Sequence, residues 1–253
     1  MKKSRSEVEQ RRKDILTIVS ENGEASVAEL SDKLKVSPLT IRRDLQFLED
    51  ENFLERFYGG AKRGANLKED EVRAEIDVYR ETIAKYAASL VEDGDSIFIN
   101  TSSTALRMIK YIKSENVTVI TNNGNVINGV HPPNLSIILT GGELRYMKGA
   151  MVGDFALNSL SRVTAKKSFI GCSGISLQSG MTTELANEVQ INEIMFSRVT
   201  ERAYILADHL KVEKNSSFVS CPINKITDII TDTQVSDDVA EAYKQNGIRM
   251  HRV

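Results

Sequence analysis

The chain has 253 residues, of which 41% are hydrophobic and 27% charged, and its 33 Lys+Arg against 35 Asp+Glu leave a net charge of −2. Those values describe a globular protein of one large domain or two unequal ones, and they exclude a uniformly basic nucleic-acid coat. No apolar run approaches the ~20 residues of a membrane span. The opening stretch MKKSRSEVEQRRKD lacks the apolar core of a secretion signal. Two cysteines, Cys172 and Cys221, make neither a disulfide framework nor a zinc quartet, so a reducing cytoplasmic compartment is expected.

The chain divides near residue 65. Residues 7–22 carry Val8, Ile15, Ile18 and Val19 at helical spacing, and Gly23 marks a stop. Val27–Leu34 reads as a short second helix. Ser37-Pro38 opens a third: the serine supplies a capping oxygen, and proline suits the first helical position. This helix is expected to end near Asn52. Two extended runs around Gly59-Gly60, Phe53–Tyr58 and Ala61–Arg63, predict a hairpin. Three helices and a hairpin in about 60 residues are the plan of a winged helix-turn-helix. Residues 65–72 are polar and unpatterned and read as a linker, followed by a helix over 73–91. Strands are then predicted at 96–100, 117–121, 135–140, 167–171, 203–207, 228–231 and 248–252, with helices at 104–113, 125–130 and 184–201 between them. This alternation predicts a doubly wound α/β domain over 73–253: a mostly parallel sheet with helices on both faces and ligands at the carboxyl ends of its strands.

The third helix has the split character of a DNA reader. Ile41, Leu45 and Leu48 form an apolar stripe for docking on the first two helices. Ser37, Leu39, Thr40, Arg42, Arg43 and Gln46 lie at its start or away from that stripe. Arginine pairs bidentately with guanine and glutamine with adenine. Arg56, Tyr58, Lys62 and Arg63 on the hairpin suit phosphate contacts, which position without specifying. Asp44, Asp50, Glu51 and Glu55 are expected to oppose phosphate, so each module binds modestly and dimerisation is required. The run Val36-Ser37-Pro38-Leu39-Thr40-Ile41-Arg42-Arg43-Asp44-Leu45, with Val27-Ala28-Glu29-Leu30 before it and Tyr58-Gly59-Gly60-Ala61 after it, resembles the signature of DeoR-family bacterial transcription regulators. The family pattern V-S-x-x-T-I-R-R-D-L is matched at every fixed position; at the wing, Tyr58 stands where the family has His.

In the second domain five small-residue loops follow predicted strands: Asn100–Thr104, Thr121–Gly124, Thr140–Glu143 with Arg145 nearby, Gly171–Gly174 leading to Gly180–Glu184, and Asp208–Lys211. Together they point to a small, polar, anionic ligand. Candidate contacts are Asn100, Thr101, Ser102, Ser103 and Thr104 in the first loop and Asn123 in the second. The third contributes Gly141, Gly142 and Arg145, the fourth Gly171, Thr182 and Glu184, and the fifth Lys211. The resemblance extends here: family sensors are similar to ribose-5-phosphate isomerase and bind phosphorylated sugars or related metabolites. Asn100-Thr101-Ser102-Ser103-Thr104 aligns with the family's D-x-G-T-T, so an amide replaces an acid and Ser102 a glycine, while Ser103 and Thr104 keep the hydroxyl pair.

The resemblance implies a repressor of a carbohydrate operon. Its operator DNA is bound by a homodimer or homotetramer and modulated by a sugar phosphate, with no cofactor. The alternative is an isomerase carrying an adventitious DNA module, with Glu143, Glu184 or Asp208 as base. Asn100 in place of an acid argues against it. His131, His209 and His251 are scattered without metal-ligand spacing. Cys172 and Cys221 have no evident base nearby and read as small buried hydrophobes.

Overall fold

The computed structural model describes residues 5–50, 53–62, 67–129, 131–145 and 148–253, with the backbone alone for 5–7, 50 and 67–74. The chain packs as two units, Met1–Ala74 and Glu75–Val253.

The first unit runs α1 (Arg5–Asn22), β1 (Glu24–Ser26), α2 (Val27–Leu34), α3 (Pro38–Asp50), β2 (Glu55–Phe57) and β3 (Gly60–Lys62). Capping residues set its boundaries. Ser26 accepts from the Glu29 amide at 3.2 Å while the Glu29 carboxylate accepts from the Ser26 amide at 2.8 Å, a reciprocal box that starts α2. The backbone bond from Ser26 also holds the Glu29 carboxyl below its usual pKa. The left-handed Lys35 (φ 53°) ends α2, and Ser37 Oγ accepts from the Thr40 amide at 3.2 Å to start α3. Ile41, Leu45 and Leu48 are buried against Ile15, Ile18, Val19 and Leu30, as their helical spacing requires. The predicted hairpin forms between β2 and β3. The short run Glu24-Ala25-Ser26, unpredicted as a strand, completes an antiparallel sheet in the order β1-β3-β2. The predicted end of the third helix near Asn52 lies outside the described residues.

The second helix-and-strand series begins with α4 (Leu67–Ser89), so most of the stretch expected as linker is helical. Its Leu-Lys-Glu-Asp-Glu-Val composition favours helix without marking a face, which hides the helix from periodicity. There follow β4 (Ser96–Ile99), α5 (Ser103–Met108), β5 (Val117–Thr121), β6 (Leu135–Leu139), β7 (Glu143–Arg145), β8 (Ala150–Val152), α6 (Asp154–Ser161) and β9 (Ala165–Gly171). Then come β10 (Gly174–Ser176), β11 (Gly180–Thr183), α7 (Ala186–Ser197), β12 (Val199–Leu206), β13 (Phe218–Cys221), β14 (Asp228–Thr231), α8 (Asp237–Gln245) and β15 (Arg249–Arg252). The helix predicted over 184–201 stops at Ser197, because Val199 and Thr200, both β-branched, join the sheet. The loop predicted before Thr183 is instead the hairpin of β10 and β11, extended by β13.

Seven strands form one parallel sheet in the order β15-β14-β12-β9-β4-β5-β6. Their residues alternate between two cores. Phe98, Ile170, Ile205 and Ile229 pack with Leu160, Ile191, Met195 and Tyr243 from α6, α7 and α8. Ile97, Ile99, Phe169, Tyr204, Leu206 and Ile230 pack with Ile83, Ala87, Ala105 and Met108 from α4 and α5. A sheet buried on both faces needs this near-continuous apolar sequence. From β4 the chain winds outward to β5 and β6, then returns to the other side of β4 to lay down β9, β12, β14 and β15. The winding direction thus reverses between β4 and β9, where adjacent loops leave on opposite sides and open a crevice at the carboxyl ends.

Candidate nucleic-acid interface and effector cavity

On the first unit, Arg42 and Arg43 are exposed on α3 and make no ion pair or side-chain hydrogen bond with any described residue. Leu39, 57% exposed, stands beside them near the start of the helix. Thr40 and Ser37 share a hydroxyl contact of 2.9 Å that orders this first turn. At the two-residue hairpin turn Tyr58 is fully exposed. The other predicted contacts are engaged. Gln46 bonds Glu49 at 3.4 Å and accepts from Arg56, and Arg56 also pairs with Glu49 at 3.5 Å. Lys62 lies 3.3 Å from Glu55 across β2 and β3, which compensates an acid expected to repel phosphate. Gln46 and Arg56 therefore tie the hairpin to α3. Arg63, Glu51 and the Asp50 side chain lie outside the described residues.

Asp44 does not oppose phosphate as its sequence position suggests. It is 2% exposed, its Oδ2 accepts from Arg11 Nε at 2.6 Å and its Oδ1 from Arg12 Nε at 3.1 Å. The Arg12 guanidinium also stacks on Phe47, 3.5 Å from the ring centre. Asp44 is thus the internal counter-ion that fastens α1 to α3, a pairing across 33 residues that helical spacing cannot reveal.

On the second unit a cavity of about 440 Å³ opens at the β4–β9 crevice. It is lined by predicted residues from four loops: Asn100, Thr101, Ser102 and Ser103 after β4, Asn123 after β5, Gly171 and Glu184 on either side of β10 and β11, and Lys211 after β12. Asn100 is the hub, 4% exposed. Its Oδ1 accepts from the amides of Gly171 (3.0 Å) and Ser102 (3.2 Å), and its Nδ2 donates to Gly171 O (2.8 Å) and Asn192 Oδ1 (3.0 Å). The two backbone donors define which end of the amide is oxygen. Gly171 is required here, since a Cβ would lie 2.0 Å from Ser102 Oγ. An acid at position 100 would set a carboxylate oxygen against Gly171 O and Asn192 Oδ1. Asn100→Asp is therefore expected to destabilise the second unit by about 3 kcal/mol, the cost of losing two bonds and burying the mismatch. Urea unfolding checks this, and an unchanged midpoint would refute the hub.

Five predicted contacts do not line the cavity. Thr104 is buried within α5. Thr182 points away from its neighbour Thr183, as strand alternation demands: its Oγ1 donates to Gly174 O at 3.0 Å and accepts from Ser216 N at 2.9 Å. Gly141, Gly142 and Arg145 follow β6, the edge strand, two places removed from the crevice. Gly142, at φ 114°, permits close approach of Val152 O, 2.6 Å from where a Cβ would sit. Arg145 is exposed and paired with Glu143 at 3.3 Å.

Seven residues outside the predicted contacts take those places. Leu106 comes from α5 and Asn125 follows Asn123; Asn125 Nδ2 donates to Lys148 O at 2.9 Å, bringing Lys148 to the rim. Cys172, Ser173, Thr183 and Glu188 complete the wall. Cys172, Ser173 and Thr183 fall inside loops that the sequence singled out, whereas Leu106, Asn125, Lys148 and Glu188 carry no such signal. Burial pushes the Cys172 thiol up to about 11 and the Cys221 thiol up to about 12, so both are neutral at pH 7. Asp208, outside the cavity lining, is 1% exposed and held by Arg80 Nε at 2.9 Å, with Lys211 Nζ at 3.9 Å. The three histidines are engaged separately: His131 with Val126 O, His209 with Asp232 and His251 with Asp228. Among the described residues, one group of acids lies close enough to share a cation, Glu92, Asp95 and Glu201. There Lys167 already pairs with Asp95 at 2.8 Å and Glu92 at 3.2 Å.

The chain thus joins a helix-turn-helix unit to a doubly wound unit with a carboxyl-end cavity. Comparison with known sequences gives its family. The DeoR-like helix-turn-helix domain matches residues 11–65 and the DeoR C terminal sensor domain residues 78–233. The chain belongs to the DeoR family, which places it among transcriptional regulators rather than enzymes. It is 30% identical to the uncharacterized HTH-type transcriptional regulator FruR of Bacillus subtilis (strain 168), covering 87% of this chain and 89% of that one. It is 29% identical to the lactose phosphotransferase system repressor of Staphylococcus aureus (strain NCTC 8325 / PS 47), covering 89% and 92%. A solved ribose-5-phosphate isomerase of Methanocaldococcus jannaschii is 17% identical, with a TM-score of 0.38 over 53% of each chain, a likeness too distant to inform the chemistry. No helix among the described residues is long and apolar enough to cross a membrane.

Proposed function

We propose that this protein represses a carbohydrate-utilisation operon in the cytoplasm, binding its operator as a homodimer or higher homo-oligomer until a phosphorylated sugar occupies the sensor cavity. The observation that carries the reading is the cavity's chemistry. Two lysines, Lys148 and Lys211, line it together with the hydroxyls of Ser102 and Ser103, a set suited to a phosphate. Arg42 and Arg43, exposed and without a partner among the described residues, supply the base-reading donors. The name of the Staphylococcus aureus relative, a sugar-system repressor, supports the same assignment.

A ligand shifts operator affinity only by its differential affinity for the two states, typically ~1–3 kcal/mol. Fluorescence anisotropy on DNA from the upstream region, at fixed salt and with a panel of sugar phosphates, tests the proposal. Release by one of them is expected. Ser103→Ala and Lys211→Ala should each raise the concentration needed for release about tenfold, the worth of one charge-assisted bond, with DNA binding in the absence of ligand unchanged. A full response in both variants would remove these residues from the site, and indifference of the wild type to the whole panel would overturn the sugar-phosphate assignment.

A further inference from the structure

The cavity contains a buried acid that phosphate binding does not use. Glu188, in the first turn of α7, is 7% exposed. Its Oε1 accepts from Thr101 Oγ1 at 3.0 Å and its Oε2 from Thr183 Oγ1 at 2.6 Å. No Lys, Arg or His among the described residues pairs with it. Two hydroxyls and a helix N-terminus offset part of the cost of desolvating a carboxylate, but they supply no counter-charge. A carboxylate accepts about four hydrogen bonds. Each oxygen of Glu188 therefore keeps an acceptor position, in a residue that lines the cavity.

The walls thus offer two kinds of recognition. The two lysines suit an anionic end, and Glu188 suits a neutral, donor-rich one. A hydroxyl donating to Glu188 relieves its desolvation, whereas a second anion brought beside it meets a like charge that no cation among the described residues neutralises. We propose that Glu188 is a specificity-determining residue of the effector site: it accepts hydrogen bonds from hydroxyls on the effector's carbon chain and excludes phosphorylated sugar acids. This rests on the sugar-phosphate reading above and adds a rule of rejection to it.

The test is calorimetric titration of the full-length protein with matched pairs that differ by one carboxylate. Glucose 6-phosphate is set against 6-phosphogluconate, and ribose 5-phosphate against 5-phosphoribonate, with inorganic phosphate as the probe for the cationic end alone. In the wild type the neutral-ended member of at least one pair should bind about 30-fold or more tightly than its acid. Glu188→Gln keeps the shape and can still bond both threonine hydroxyls. It should shrink that ratio at least about tenfold, chiefly because the acid gains affinity, while inorganic phosphate binds both forms equally. An unchanged ratio in Glu188→Gln, or a wild type that takes both members alike, overturns the assignment of Glu188 while leaving a sugar-phosphate sensor standing. If Glu188→Gln does not fold, Glu188→Asp decides: it retains the charge but shortens the reach, so the neutral member should weaken while the acid stays excluded, and equal affinity for both members would overturn the proposal. A wild type that binds no sugar phosphate at all removes the sensor reading itself and this inference with it.

Discussion

Asp44→Ala is expected to cost the DNA-binding unit about 3–5 kcal/mol, because it leaves Arg11 buried without a counter-ion and frees Arg12 from the same anchor. A unit of this size has little more than that in reserve. Thermal unfolding of the variant should therefore show an early transition for the first unit with the second unit's transition in place, and operator binding should disappear with it. Asp44→Asn, which keeps one acceptor oxygen, should lose less. The experiment separates the structural role from the one that sequence position suggests. Were Asp44 a surface acid facing phosphate, alanine would tighten DNA binding at an unchanged melting temperature, and that result would refute the buried pair.

The second large effect is expected at the recognition helix. Arg42→Ala/Arg43→Ala should weaken specific operator binding about 100-fold or more, at ~1–3 kcal/mol for each bidentate pair with a base. The melting temperature should hold, since neither side chain has a partner among the described residues. Binding to unrelated DNA should fall less than binding to the operator, because base contacts carry the discrimination and phosphate contacts the remainder. Equal loss on both DNAs would reassign these arginines to phosphate, and no loss would take α3 out of the groove.

Local chemistry was legible in the third helix of the first unit. Ser37 capping α3, and the stripe of Ile41, Leu45 and Leu48, follow from interactions spanning a few residues, so their spacing records them. The role of Asp44 does not, because its partners come from a different helix. The same division holds in the second unit. Apolar runs such as Ser96–Ile99 and Asp228–Thr231 announce strands buried on both faces. The small polar loops after them announce a site at the carboxyl ends. Which loops share that site was decided by the strand order, which puts β4 beside β9 and leaves β6 at the edge, so Asn100 and Gly171 meet while Gly141 and Arg145 are carried away.

Thr183 rather than Thr182 faces the cavity because a strand's two faces alternate; Gly180–Thr182 pair with β10 in a local hairpin, whereas Thr183 is paired only with Phe218 of β13, 35 residues later. Lys148 reaches the rim because its carbonyl accepts from the Asn125 side-chain amide, with no local signal at either residue. By itself, then, the sequence determined the Ser37 cap, the helical stripes, the positions of the seven parallel strands and the recognition motif, each a consequence of neighbours along the chain. Strand order, the burial of Asp44 and the set of side chains around the cavity were decided only by tertiary structure, because they depend on contacts between segments whose separation leaves no period in the sequence.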